Sequence, residues 1–316
     1  MNSNSQTCES SPWRGKSLWV FAPGLGPAAR AGSRRYPALE RLVARGRRAP
    51  LRQDPWGMLA GLVGGGTGPW PVGPVSLLGD GGRPSGNTLR VEPLGMDGRG
   101  AFRIPAARLS VTGAEARALA GRFDEILGDG ALRMHVPAPG RWYLEGVPGW
   151  TGAAGPRPAR LSPAEPALMK LVSEIEMLFF EHPLNQAREA AGAPRIAGIH
   201  AWGGGGLPEQ GPAGVPAGWG GEPYLAGLWA LAGARPATAA GELLEAGGIA
   251  WPVAPEDAGD DLPGRLETEI AAEALGALSR GRLRQVRLVT EEAVYTTTRL
   301  GARLPWRRPR PLGECL

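Results

Sequence analysis

Residues 174–207 constrain the fold most, because the end of an apolar helix, a proline break, a short helix, a strand and a glycine run follow one another without a spacer. The helix has apolar residues at the period of one buried face, namely Leu168, Leu171, Val172, Ile175, Leu178 and Phe179. Met177 and Phe180 should widen that face. Pro166 fits the first helical position after a Glu165 cap, although Ser162 with Glu165 offers a capping box as an alternative start.

The sequence also predicts where this helix ends. The residue before a proline avoids the helical conformation, so the helix should stop near His182. Pro183 then begins a short helix that Gly192 caps in the left-handed conformation. Residues 195–202 predict a strand that is covered on both faces, and Gly203–Gly206 predict a loop at its end. Such a loop can hold an anion on backbone N–H groups, but no helix follows it, and a plain flexible connection is the favoured interpretation.

Length and patterning predict a single α/β domain with one mixed sheet and long loops rich in Gly and Pro. The 316 residues include 50 Gly and 32 Pro, yet 42% hydrophobic residues and 11 Trp argue for a folded chain. We assign residues 1–15 to a disordered tail, 16–304 to the domain and 305–316 to a basic, proline-rich tail. Docking of this tail on the domain is favoured over the alternative of a partner-binding peptide. The predicted strands are 18–22, 88–92, 101–104, 132–136, 141–147, 248–253, 283–290 and 293–298, and the other helices are 37–45, 112–127 and 265–280.

Two stretches are less defined. Residues 49–86 have little periodicity and predict a long loop with one short helix at 55–62, and residues 28–36 also predict a loop. Residues 224–232 are apolar enough to form either a helix or a buried strand. Residues 148–161 predict a linker, and residues 257–261 predict an acidic loop.

Charge and cysteine usage exclude several functions. The formal net charge is +5, and Arg supplies all basic residues except Lys16 and Lys170, the bias that a GC-rich genome produces. The arginines are scattered along the chain and no nucleic-acid signature accompanies them, so nucleic-acid binding is not expected. Cys8 and Cys315 lack metal-ligand spacing. No apolar stretch reaches a membrane span and no signal core is present, which predicts a cytoplasmic protein.

Several motifs together resemble a family. The segments SLWVFAPGL (17–25), PALERLVARGR (37–47), DGALRMHVPAPGRWYL (129–144), SEIEMLFFEHPLNQARE (173–189), HAWGGGGLP (200–208) and WRRPRPL (306–312) are similar to RpfE-type bacterial regulatory proteins. Locally, the central segment also resembles the His-Pro-x-Asn-x-x-Arg and Trp-Gly-x-Gly stretches of archaeal-type cofactor-independent phosphoglycerate mutases. That second resemblance implies an alkaline-phosphatase-like α/β fold, a Ser nucleophile and two divalent metals held by Asp and His.

The chain differs from the mutase pattern at the positions that bind metal and carry out catalysis. Its first strand runs into Pro23 and Gly24 where such enzymes carry a metal-binding Asp-Gly, and no histidine follows His200. Serines 76, 85 and 110 have no flanking base. Phosphate-ester cleavage needs concentrated positive charge on the transferring group, which two metals would supply. We therefore assign no catalytic residue and no metal ligand, and expect a degenerate version of the fold.

What remains is a candidate ligand pocket. His182, Asn185 and Arg188 lie on or just before one short helix, and Arg188 offers a planar fork to a carboxylate or phosphate. The pocket would be completed by Trp202, Gly203 and Gly205. The alternative, slightly favoured, is that His182 and Asn185 cap the helix junction while Arg188 pairs with Glu181 or Glu189. His200, Trp142 and Trp202 are more readily explained as structural residues.

The sequence thus leads to one main functional hypothesis. We predict a non-catalytic, phosphoglycerate-mutase-like regulatory protein that binds a small anionic ligand or a protein partner and needs no cofactor. The alternative is a cofactor-independent phosphoglycerate mutase that depends on Mn or Mg. A third class, an Arg-rich nucleic-acid binder, requires a single basic face and a steep salt dependence.

Overall fold

A computed structural model describes residues 16–64, 70–96, 103–104, 106–147, 166–258, 261–304 and 306–316. The predicted tail 1–15, the linker 148–161 and the two candidate caps of the central helix at Ser162 and Glu165 lie outside these residues. Among the described helices, none is both long and apolar enough to cross a membrane.

The described strands form two sheets. Their bounds are β1 (Ser17–Phe21), β2 (Arg47–Pro50), β3 (Thr88–Met96), β4 (Arg103–Ile104), β5 (Arg133–Ala138), β6 (Arg141–Glu145), β7 (Arg195–Gly205), β8 (Gly218–Gly220), β9 (Gly248–Trp251), β10 (Gln285–Val289) and β11 (Ala293–Thr298). The first sheet has the order β2-β11-β10-β1-β9-β8, in which β10, β1, β9 and β8 are parallel and β11 is antiparallel to its neighbours. In the second, antiparallel sheet, β3 pairs with β4, β6 and β7.

The helices cover both sheets. They are α1 (Leu25–Ala31), α2 (Pro37–Arg45), α3 (Pro55–Gly64), α4 (Val72–Gly79), α5 (Ala106–Leu109), α6 (Gly113–Ile126), α7 (Pro166–Glu181), α8 (Pro183–Ala190), α9 (Pro223–Leu231), α10 (Leu243–Ala246), α11 (Pro255–Ala258), α12 (Leu262–Leu266), α13 (Ala272–Arg280) and α14 (Leu312–Cys315). A π-helical turn, Glu267–Ala271, joins α12 to α13.

Side chains alternate along β1 and so divide the core around the first sheet. Leu18 and Val20 join the cluster under α2 and α13, whereas Trp19 and Phe21 join a tryptophan-rich cluster under α3, α4 and α9. A third cluster lies between the second sheet and the helices α6 and α7. The tryptophan-rich cluster also contains Trp202 from β7, so it is the layer where the two sheets meet.

Local signals are confirmed where they are strong. The Thr112 side chain accepts from the Glu115 backbone N–H at 3.2 Å, and the Glu115 carboxylate accepts from the Thr112 N–H at 2.7 Å, which is the capping box of α6. Pro166 is the first residue of α7, and Gly192 has a φ of 73°. The α/β class and the mixed sheet are confirmed, and a second sheet is added to them.

Several sequence-based predictions are wrong. Part of the expected loop 28–36 is α1, and the expected loop 49–86 holds β2 and α4 besides the predicted short helix. Residues 224–232 are a helix, α9. The run Gly203–Gly205 lies inside β7 and not in a loop, because β7 continues along β3 to Thr88. Met177 and Phe180 are each 65% exposed, so they do not widen the buried face of α7.

Candidate functional site at the carboxyl edge of the parallel sheet

The parallel strands of the first sheet all end at one edge, which is where open α/β sheets bind their ligands. Strand β8 ends at Gly220 and is followed by Glu222, while β9 ends at Trp251 and is followed by Glu256. A Cβ atom at Gly220 would lie 1.8 Å from the Trp251 carbonyl oxygen, so only glycine allows the two strands to close here. Two carboxylates are thereby brought to the expected ligand edge.

Arg90, from β3 of the second sheet, fills this edge. Its guanidinium pairs with both oxygens of Glu222, and its Nη2 lies 2.6 Å from Glu256 Oε1. The side chains of Arg90 and Glu222 have no exposed surface, and that of Glu256 has 1%. The Trp202 and Trp56 rings lie 5.2 Å and 5.8 Å from the guanidinium carbon. The edge is therefore closed by ion pairs and covered by indole rings.

A second arginine extends the network toward the surface. Arg141, on β6, donates to both oxygens of Asp80 at 2.8 and 2.9 Å and to Asp257 at 2.7 Å. It also reaches Glu256 Oε1 at 3.4 Å, so the two arginines share one carboxylate. The Tyr143 hydroxyl donates to Asp80 at 2.6 Å. Two guanidinium groups thus face four carboxylates, and the network carries an excess of negative charge.

The protonation states follow from burial and from neighbouring charges. Burial alone would lower the pKa of Arg90, but the charges of Glu222 and Glu256 outweigh it and hold that pKa well above its usual range. Glu92, two residues along β3, shows the opposite balance. Burial and the charge of Glu256 raise the pKa of Glu92 to about 7, against the pull of Arg90 and of a hydrogen bond from the Trp202 indole.

This arrangement can hold the two sheets together, and its carboxylates are engaged by arginines. Glu222 and Glu256 are engaged by Arg90, and the end of β1 offers Gly24, whose N–H donates to Glu291 at 3.0 Å. Among the residues that the structure describes, no group of three or more His, Cys, Asp or Glu side chains is arranged to hold a metal ion. Ser76 is fully buried and lies 3.3 Å from Arg90 Nη1. The donor set therefore does not fit a pair of divalent metals beside a free nucleophile.

The sequence-predicted pocket residues are divided between two places. Asn185 is fully buried, donates to the carbonyl oxygens of Phe179 and Ile196 at 2.6 and 2.9 Å, and accepts from the Ile196 N–H at 2.8 Å. Its amide thus joins α7, α8 and β7. The His182 imidazole caps α8 by accepting from the Leu184 N–H at 3.2 Å, and burial, followed by the charge of Arg122, lowers its pKa.

Arg188 is also engaged by the protein itself. It is 6% exposed and donates to Pro194 O at 2.8 Å, to Glu115 Oε1 at 2.8 Å and to Leu109 O. The partner is Glu115 on α6 and neither Glu181 nor Glu189, the two acids nearest in sequence. The Arg188 guanidinium group, which the sequence analysis offered to a ligand anion, therefore connects α8 to α6 and α5.

Trp202, Gly203 and Gly205 lie at the other end of β7. Trp202 is six residues from Ile196 along the strand, which is about 20 Å at the usual rise of a strand. A Cβ atom at Gly203 would lie 2.8 Å from Val72, and one at Gly205 would lie 2.5 Å from Pro71. These glycines therefore admit the start of α4, and Trp202 belongs to the closed edge.

An open groove of about 1000 Å³ runs beside Asn185. Met96, Met177 and Phe180 contribute apolar surface, with exposures of 46%, 65% and 65%. Its charged residues are Glu176, Glu181, Glu189 and Arg195. Arg195 lies over the Phe180 ring, 5.2 Å from its centroid, and pairs with Glu189. The groove is an apolar surface with an acidic rim.

Sequence reasoning missed the three residues that form the closed edge, Arg90, Glu222 and Glu256. Arg90 interrupts the apolar strand TLRVEPL on its inward side, and Glu222 precedes Pro223 at the start of α9, where its carboxylate also accepts from the Tyr224 N–H at 3.2 Å. A charged residue inside a buried strand is a signal of a buried ion pair. Its partners, Glu222 and Glu256, lie more than 130 residues away in sequence, so the pairing itself leaves no local pattern.

Comparisons with known proteins give distant similarity only. No protein-family profile and no curated protein sequence matches the chain. Solved structures that align with it include the PH0037 protein from Pyrococcus horikoshii, at 15% identity and a TM-score of 0.49 over 90% of this chain and 87% of that chain. They also include a cofactor-independent phosphoglycerate mutase from Thermoplasma acidophilum, at 17% identity and a TM-score of 0.38 over 89% of each chain. The chain is distantly similar to these two proteins.

Proposed function

We propose that the chain is a non-catalytic, phosphoglycerate-mutase-like regulatory protein of the RpfE type that acts by binding a protein partner. One observation carries this proposal: Arg90, Glu222 and Glu256 close the edge where an α/β enzyme binds its substrate. A phosphorylated substrate would have to displace two carboxylates from Arg90 and enter a cluster with excess negative charge. Both steps oppose binding.

The groove beside Asn185 supports a protein partner over a small anionic ligand. The donors of Asn185 and Arg188 are used within the protein, and carboxylates outnumber the one arginine in the groove. Exposed Met and Phe side chains on one helix face are typical of protein interaction surfaces. We assign the partner-binding role to the exposed face of α7 around Met177 and Phe180.

The proposal is tested by a coupled assay for conversion of 3-phosphoglycerate to 2-phosphoglycerate with added Mn²⁺ or Mg²⁺. A metal analysis of the same sample accompanies the assay. We expect no turnover above that of the heat-denatured protein. Turnover that a chelator abolishes would refute the non-catalytic proposal and favour the mutase alternative. A Glu222→Gln variant serves as a control, since genuine activity at this edge should change with it while a contaminating mutase would not.

A further inference from the structure

Three segments of the chain are rich in arginine and free of acidic residues. Residues 41–48, 274–290 and 293–313 contain thirteen arginines and no Asp or Glu, whereas the whole chain has 30 acidic residues. In the sequence the first segment lies far from the other two, which are separated only by Glu291 and Glu292.

The fold brings the three segments together at the amino-terminal edge of the parallel sheet, opposite the closed edge. The end of α2 leads into β2, the end of α13 leads into β10, and β11 ends beside both. Arg303 donates to Ser279 O at 3.4 Å, Arg45 donates to Ala302 O, and Arg307 donates to Gly46 O at 3.2 Å. These contacts join all three segments into one surface, which we call the basic edge.

Most arginines of the basic edge are exposed, although Arg45 and Arg287 are half-buried and Arg48 pairs with Glu292 at 3.9 Å. Within the described part of the chain, no carboxylate lies at ion-pair distance from Arg41, Arg45, Arg47, Arg280, Arg282, Arg284, Arg299, Arg303, Arg307 or Arg308. Arg303 and Arg307 donate to carbonyl groups at the ends of α13 and α2, where a cation complements the helix dipole. With the contact of Arg45, such structural roles account for three guanidinium groups, and the other seven donate no side-chain hydrogen bond among the described residues.

The third arginine-rich segment also carries two large, exposed apolar side chains. Leu300 is 77% exposed and Trp306 is 72% exposed, more than any other large hydrophobic side chain among the described residues. Leu300 lies between Arg299 and Arg303 in sequence, and Trp306 directly precedes Arg307. Exposed leucine and tryptophan beside arginines combine the two contributions that bind a protein to a lipid surface, apolar insertion and attraction to anionic headgroups.

We propose that the basic edge docks this protein on membrane surfaces that contain anionic phospholipids. Guanidinium groups contact the headgroup phosphates, and Leu300 and Trp306 enter the interface between headgroups and acyl chains. A single-stranded nucleic acid could stack on Trp306 but would leave Leu300 uncovered. The use of Arg in place of Lys does not decide between them, because the chain has only two lysines. This inference goes beyond the proposed function and does not depend on the outcome of the isomerase assay.

The test is sedimentation of the full chain with vesicles of phosphatidylcholine alone and with 30% phosphatidylglycerol. We expect binding only to the anionic vesicles and a loss of binding as salt is raised. In the charge variant Arg282→Glu, Arg284→Glu and Arg299→Glu, the partition coefficient should fall about 100-fold, at roughly five-fold for each cation lost. These three side chains donate no hydrogen bond in the described structure, so circular dichroism should show an intact fold.

Matched variants separate the two contributions. A control with Arg83→Glu, Arg117→Glu and Arg235→Glu changes the net charge equally on other surfaces and should bind as the unmodified chain does. Leu300→Ser with Trp306→Ser should weaken binding about tenfold while the salt dependence remains. Lipids brominated on the acyl chain should quench Trp fluorescence, and Trp306→Phe should remove most of that quenching.

Three results would overturn the proposal. The first is that the chain does not bind anionic vesicles. The second is that the charge variant and its control lose vesicle binding equally. The third is that the Leu300→Ser, Trp306→Ser variant binds vesicles as the unmodified chain does. Tight binding of a 20-nucleotide single strand, lost in the charge variant and seen without vesicle binding, would assign the basic edge to nucleic acid instead.

Discussion

Arg90 is the residue on which the closed edge depends. A guanidinium group without exposed surface pays a large desolvation penalty, which is offset only if its carboxylate partners are close and well oriented. Glu222 and Glu256 meet that condition, and the Trp56 indole N–H also donates to Glu222 at 3.3 Å. Glu256 Oε2 is buried and has no hydrogen-bond partner among the described residues. The negative charge of Glu256 therefore favours protonation of a nearby acid. Glu92 is that acid, because its pKa is raised by burial and by Glu256.

Glu92 gives a pH-dependent prediction. Its pKa rises from 4.5 in the unfolded chain to about 7 in the folded protein, so the folded form holds more protons between these pH values. The free energy of unfolding should fall as the pH rises through this window, by up to about 3 kcal/mol. Glu92→Gln should remove that fall and should keep a side-chain oxygen for the Trp202 hydrogen bond.

The measurement is urea unfolding of both proteins at pH 5 and pH 8. Comparing the variant with the unmodified chain cancels the contribution of other titrating groups, including His182. Glu245→Gln, at an exposed position, is the control and should retain the fall in stability. Equal slopes for Glu92→Gln and the unmodified chain would show that Glu92 is ionised across the whole window.

Asn185 and Arg188 show which part of a residue's role can be predicted. Their types and spacing were sufficient to identify a polar group that matters at the junction of α7 and α8. Whether their donors are free depends on Ile196, Glu115 and Leu109, which the fold brings to them from other elements. The alternative in which the residues act as caps was right about the junction, but the partner of Arg188 could not be found locally.

At the scale of elements, local signals located the helices that carry them. The capping box of α6, the apolar period of α7 and the proline at the start of α8 each predicted an observed element. Helix α4 was missed because its sequence, VGPVSLLG, contains two glycines and a proline and has no polar face. Such a helix is stabilised by its contacts with α9, β3 and β7, which no local sequence pattern predicts.

The close crossing of α4 and α9 gives an element-scale prediction. A Cβ atom at Gly79 would lie 1.9 Å from Pro223 O, and one at Gly227 would lie 1.9 Å from Val75 O. Replacing either glycine with alanine forces the helices apart and should lower the free energy of unfolding by about 1–3 kcal/mol or more. Chemical denaturation of the two variants measures this loss.

Gly121 provides the matched control. It lies within α6, and a Cβ atom there would have no neighbour within 4 Å. Gly121→Ala should therefore be neutral or stabilise the protein by about 0.5–1 kcal/mol through helix propensity. If the Gly79→Ala and Gly121→Ala variants had the same free energy of unfolding, α4 and α9 would not be in close contact at Gly79.

For the whole molecule, the two edges of the parallel sheet have opposite characters. The carboxyl edge is closed by a buried network with excess carboxylates, whereas most of the arginines at the amino edge have no carboxylate at ion-pair distance among the described residues. The sequence predicted the α/β class from its alternation of strands and helices. It did not predict either edge, because each joins a segment from the first third of the chain to segments more than 100 residues later. A search for ligand sites by local motif accordingly selected β7 and α8.

The most direct test of the closed edge is hydrogen–deuterium exchange of residues 218–231 and 248–258, with and without 3-phosphoglycerate and Mn²⁺. The Tyr224 N–H is bonded to buried Glu222, and the Gly221 N–H to Trp251 O at 3.0 Å. We predict slow exchange in both segments and no change when substrate and metal are added. Fast exchange at Gly221 to Tyr224, or added protection there with 3-phosphoglycerate and Mn²⁺, would show that the edge opens to a ligand and would contradict the account.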